Sequence, residues 1–144
     1  MFKRDILFHL ERWKDDTLRK PLILRGARQV GKTTVVNEFG KQFDNYLYLN
    51  LEKREAASLF ELNVSLKDLM PLFFAHCGKI RNEGTILLFI DEIQNSAKAV
   101  ALLRYFYEEL PDICVIAAGS LLENLIDVRV SFPVGRVQYM ALRP

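Results

Sequence analysis

The chain has 144 residues, half of them hydrophobic and 26% charged, enough for one ordinary core, and a single domain over residues 1–144 is expected. A formal net charge of +2 lacks the concentrated basic balance of a nucleic-acid module, and no apolar stretch reaches membrane-spanning length. The start, MFKRDILFHLERWKDD, has an apolar run cut by His9, Glu11 and Arg12, so no signal-peptide core is expected and the cytoplasm is the expected compartment, with no membrane partner. Cys77 and Cys114 sit in apolar surroundings far apart in sequence, as reduced core thiols do.

In chain order, Phe2, Ile6, Leu10 and Trp13 fall at helical spacing and predict an amphipathic helix. The basic pairs Lys3/Arg4 and Arg19/Lys20 read as solvated surface rather than a phosphate grip. PLIL opens a short strand, a glycine loop follows, and Val35, Val36, Phe39 and Phe43 continue at helical spacing from Thr33 onward. NYLYLNL is a strand rich in aromatic residues. Leu66, Leu69, Met70, Phe73, Phe74, Cys77 and Ile80 predict a helix opened by Ser65 and Asp68 as a capping box, with a kink or restart at Pro71. TILLFI is a strand of the buried type, and Val100, Leu103, Phe106, Tyr107 and Leu110 mark the next helix. DICVIAAGS and RVQYMAL complete the strands. Short apolar strands alternating with amphipathic helices predict an α/β domain with a parallel sheet covered on both faces.

The loop Gly26-Ala27-Arg28-Gln29-Val30-Gly31-Lys32-Thr33 fits GxxxxGK[ST] in full, with Thr34 next. Glycines let the backbone come close to a phosphate and aim successive N–H groups at it, and the helix beginning near Lys32 adds its positive end. In that reading Lys32 reaches the β- and γ-phosphates and the Thr33 hydroxyl ligates Mg²⁺, while Arg28 meets phosphate, a carboxyl-terminal acidic partner or solvent. Downstream, ILLFIDEIQ carries a buried-type strand directly into Asp91 and Glu92. The pair suits either the cap of a following helix or a Mg²⁺ ligand (Asp91) beside a general base (Glu92). The upstream phosphate loop favours the second. Gln94 could position water, although a plain polar residue at a helix start explains it as well. His9 and His76 have no metal-ligand spacing and read as partly buried packing residues.

The Asp-Glu pair resembles that of the additional-strand, catalytic-glutamate ATPases, and no Asn-Lys-x-Asp guanine signature occurs, which favours ATP over GTP. VIAAGS resembles a sensor 1 strand, in which Ser120 touches the γ-phosphate or the attacking water; a helix N-cap serine fits that residue equally. Together RGARQVGKTT, LLFIDEIQN, VIAAGSLLE and SFPVGRVQYMALRP resemble the prokaryotic AAA-type predicted ATPases over essentially the whole chain. The resemblance implies a three-layer P-loop domain with a parallel five-stranded sheet of order 5-1-4-3-2, nucleotide at the tips of strands one and three, and Mg-ATP as ligand. It makes Arg136 a candidate finger in trans or sensor in cis, against the alternative of a surface arginine. Relatives continue beyond such a domain, so an amino-terminal fragment of a longer protein is expected, with self-association and a protein or DNA partner reached through the remaining region. The expected activity is Mg-ATP binding and hydrolysis that drives or resets a conformational change, slow or absent in an isolated fragment; the alternative is a non-catalytic nucleotide switch.

Overall fold

The computed structural model describes residues 2–25, 31–119, 135 and 137–141. Helix α1 spans Phe2–Asp15, β1 Leu22–Arg25, α2 Lys32–Gly40, β2 Asn45–Asn50, α3 Arg54–Leu59, α4 Leu66–His76, β3 Ile86–Asp91, α5 Ala97–Glu109, β4 Cys114–Ala118 and β5 Gln138–Ala141. The five strands form one sheet of order β2-β3-β4-β1-β5, which is the expected 5-1-4-3-2, and every pairing is parallel. Parallel neighbours require crossover connections; α3 and α4 lie between β2 and β3 in the chain, and α5 between β3 and β4.

Side-chain alternation along the strands divides the core in two. Leu87 and Phe89 of β3 join Leu22, Leu24, Ile116 and Ala118 under α1 and α2, where Ile6, Leu10, Trp13, Val36 and Phe39 pack. Leu88 and Ile90 instead meet Leu47, Leu49, Val115 and Ala117 under α3, α4 and α5, with Phe73, Leu103 and Phe106. Each large side chain so buried contributes about 1.5–3 kcal/mol. All six residues of β3 are buried, so its alternation shows in the direction of each side chain and not in polarity.

Four local expectations are corrected by the fold. Helix α4 runs unbroken through Pro71, opened by the Ser65 hydroxyl accepting from the Asp68 N–H at 3.2 Å, and no restart occurs. The helix stops at His76, where the N–H groups of Gly78 and Lys79 bond back to the carbonyls of Ala75 and Phe74, so Ile80 lies beyond it and is 89% exposed. His9 and His76 are both exposed rather than partly buried. Arg19 is no solvated charge either: its guanidinium donates to the carbonyls of Lys14, Pro111 and Asp112 and ties the segment after α1 to the entry of β4. Beside it, the Lys20 N–H donates to the Gln138 side chain and the Gln138 N–H to the Pro21 carbonyl, which seats β5 against β1.

Candidate nucleotide site

The site grows from the carboxyl ends of the strands. Gly31 precedes α2 with φ 73° and ψ 35°, a left-handed conformation that only glycine adopts without cost, and its carbonyl accepts the first helical bond from Val35. Lys32 opens the helix and is buried, Thr33 is half-buried, and Thr34 is exposed. Gly26, Ala27, Arg28, Gln29 and Val30 lie outside the described residues.

Strand parity then decides what Thr33 meets. Asp91 has the same parity as Leu87 and Phe89 and therefore points toward α2, where the Thr33 hydroxyl donates to Asp91 Oδ2 at 3.1 Å. Tyr48 of β2 points to that face as well, and its hydroxyl donates to the same Oδ2 at 2.8 Å. The other carboxylate oxygen, Oδ1, accepts from the Glu92 N–H at 2.9 Å. Burial raises the Tyr48 phenol well above its ordinary pKa, and the hydrogen bond to Asp91 and that residue's charge push the same way, so the phenol remains a donor.

Glu92 is buried and stands at φ 53°, the sole non-glycine residue with positive φ among the described residues. That turn takes the chain off the strand into a 3-10 turn over Ile93–Asn95, whose first bond runs from the Asn95 N–H to the Glu92 carbonyl. The Gln94 side-chain amide donates to Glu92 Oε1 at 2.9 Å, and Asn95 Nδ2 donates to the Glu92 carbonyl at 3.1 Å. The acidic pair does not cap α5. That role belongs to Ser96, whose hydroxyl accepts from the Ala99 N–H at 3.1 Å.

The fold thus brings Thr33 to Asp91, with Lys32 and Glu92 their neighbours in the chain, and adds two groups that the sequence reading missed or underweighted: Tyr48 and the amide of Gln94. The alternation in NYLYLNL was the available signal for Tyr48, because it sets the tyrosines on the face opposite the leucines. Ser120 and Arg136 lie outside the described residues; Gly119, immediately before Ser120, is buried at the end of β4, the strand between β1 and β3. No cluster of three His, Cys, Asp or Glu side chains suited to a metal occurs among the described residues. The oxygens of Thr33 and Asp91 are hard donors, which suit a cation such as Mg²⁺ that takes one or two protein ligands and completes its shell with phosphate and water.

A family model described as an AAA domain matches residues 18–144. The chain belongs to that AAA domain family. It is a P-loop ATPase domain, and its strand order is the one found above. Among solved structures, this AAA domain is similar to a Walker-type ATPase of Pyrococcus abyssi, at 18% identity and TM-score 0.61, over 100% of this chain and 54% of that one. It is also similar to the Aeropyrum pernix Orc1 protein in complex with DNA, at 14% identity and TM-score 0.61, over 99% of this chain and 45% of that one. Drosophila ORC bound to DNA follows at 16% identity and TM-score 0.61, over 94% of this chain and 41% of that one. These likenesses are of fold, and the chain spans about half the length of such neighbours or less. No curated protein sequence matches. No helix among the described residues is long and apolar enough to cross a membrane.

Proposed function

We propose that this AAA domain binds Mg-ATP and hydrolyses it to ADP and phosphate. The observation that carries the reading is the meeting of Thr33 from the phosphate loop with Asp91 from the β3 tip at 3.1 Å, beside a buried Glu92. Lys32, buried at the first position of α2, supplies the cation for the β- and γ-phosphates, together with the amino-terminal end of the helix. Thr33 and Asp91 are the residues that would hold Mg²⁺, which when bound neutralises charge on the phosphate oxygens. Glu92 takes a proton from the water whose oxygen attacks the γ-phosphorus, and the bond from that phosphorus to the bridging oxygen of ADP breaks. The Gln94 amide, by donating to Oε1, holds the Glu92 carboxylate in one orientation.

Gly26, Ala27, Arg28, Gln29, Val30, Gly31 and Thr34 complete the phosphate loop in this reading. Ser120 acts as a γ-phosphate sensor, and Arg136 as a transition-state arginine in cis or in trans. The proposal also includes a protein or DNA partner, self-association, a conformational output and a cytoplasmic location. The DNA-bound state of the two ORC neighbours is the analogy for a DNA partner.

The test is a Mg-ATP titration with phosphate release followed in the same samples, on the wild type, Lys32→Ala and Glu92→Gln. Binding lost in Lys32→Ala, and release lost in Glu92→Gln with binding kept, are the expected results. Wild-type binding with a slow release that Glu92→Gln leaves unchanged would identify a nucleotide switch instead.

A further inference from the structure

Asp91 is pinned at both oxygens by groups that are not nucleotide. Oδ1 accepts from the backbone N–H of Glu92, and Oδ2 accepts from two hydroxyls, those of Thr33 and Tyr48. The two hydroxyls have different prospects. A threonine that ligates a cation must turn its lone pair to the cation, and its donation to Oδ2 then ceases. The tyrosine is under no such demand. Its ring lies 5.3 Å from that of Phe89, its register partner on β3, and its carbonyl accepts from the Cys77 thiol at 3.5 Å, so ring and backbone are both held.

We propose that Tyr48 is a positioning residue of the metal site, whose phenolic O–H fixes the orientation of Asp91 Oδ2 so that the carboxylate meets the cation already aligned. The proposal rests on the Mg-ATP reading above. A carboxylate ligand held by an outer hydrogen bond loses no rotational freedom on binding, and removal of such a bond typically weakens metal affinity 10–100-fold. Two residues back on the same strand face, Tyr46 provides the internal comparison. Its hydroxyl bonds to the Asn37 side chain of α2 and does not touch Asp91.

The experiment follows a fluorescent ADP analogue binding to this chain while Mg²⁺ is titrated, for the wild type, Tyr48→Phe and Tyr46→Phe, with thermal midpoints taken in parallel. Mn²⁺ electron paramagnetic resonance with ADP present gives a second readout of the cation itself. Tyr48→Phe should raise the Mg²⁺ concentration at half effect about 10-fold, leave metal-free nucleotide affinity unchanged, and recover wild-type turnover at saturating Mg²⁺. Tyr46→Phe should keep the wild-type midpoint. An unchanged midpoint in Tyr48→Phe, or an equal shift in Tyr46→Phe, overturns the positioning role while leaving the Mg-ATP reading intact. Wild-type protein that ignores Mg²⁺ overturns that reading, and the role of Tyr48 with it.

Discussion

Thr33 and Asp91, 58 positions apart in the chain, meet through a hydrogen bond of 3.1 Å from the threonine hydroxyl to Oδ2 of the aspartate. One residue is the second of α2 and the other ends β3, two strands away from β1 across the sheet. The buried face of α2 and the fully buried β3 share one core through Val36, Phe39, Leu87 and Phe89, so the meeting is a product of the core.

Thr33→Ala should therefore keep metal-free nucleotide binding and lose most of the gain that Mg²⁺ confers. Removal of one direct oxygen ligand should cost about 10-fold or more in Mg²⁺ requirement, in line with the outer-shell range. A Mg²⁺ titration of nucleotide binding reads this, and a wild-type Mg²⁺ response in the variant would rule Thr33 out as a ligand.

Glu92 holds a left-handed backbone that a side chain tolerates poorly. Glu92→Ala and Glu92→Gly both remove the carboxylate, but only alanine keeps the steric cost of positive φ. The glycine variant should be the more stable of the two by about 1 kcal/mol. Urea unfolding of the pair decides it, and equal midpoints would mean that the turn relaxes.

Gly40 ends α2 directly against the Tyr46 ring, where an added Cβ would lie 2.7 Å from Cγ. Helix propensity alone favours alanine by about 1 kcal/mol. Overpacking costs about 1–3 kcal/mol and should win, because the Tyr46 hydroxyl is anchored to Asn37 and the ring cannot simply retreat. Gly40→Ala is thus expected to lower the denaturation midpoint; a raised one would show that the ring yields.

Both thiols are pushed upward in pKa, chiefly by burial, Cys114 on β4 and Cys77 after α4. The folded state therefore holds these protons more tightly than the unfolded chain. Their contribution to stability is complete below the ordinary thiol pKa and is lost as pH rises from there through the raised folded-state values. Native protein at neutral pH should react with a thiol reagent far more slowly than unfolded protein, with buried Cys114 the slower of the two. Rapid native labelling at both positions would contradict this burial.

The phosphate loop and the acidic pair after β3 were legible in the sequence because both are local patterns with a mechanical reason: glycine at a left-handed turn, and carboxylates at the end of an apolar strand. Helix α4 was legible in type but not in detail. Its buried face, Leu69, Met70, Phe73 and Phe74, carries it through Pro71, whose missing hydrogen bond faces outward at an exposed position. The proline argued for a kink or a restart, and packing kept the helix in one piece.

By itself the sequence determined the five strands and their alternation with α1, α2, α4 and α5, though not the short α3, together with the two-sided burial of the sheet and which residues could grip phosphate and metal, since each of these follows from local spacing and polarity. Only the tertiary structure decided that Ser96 and not the acidic pair caps α5, that Arg19 is a clamp between segments, that Gln94 holds Glu92, and that Tyr48 shares Oδ2 of Asp91 with Thr33. Those relations join residues on different elements or depend on which way a side chain turns. Strand register and helix packing set such directions, and neither is written in any short stretch of the chain.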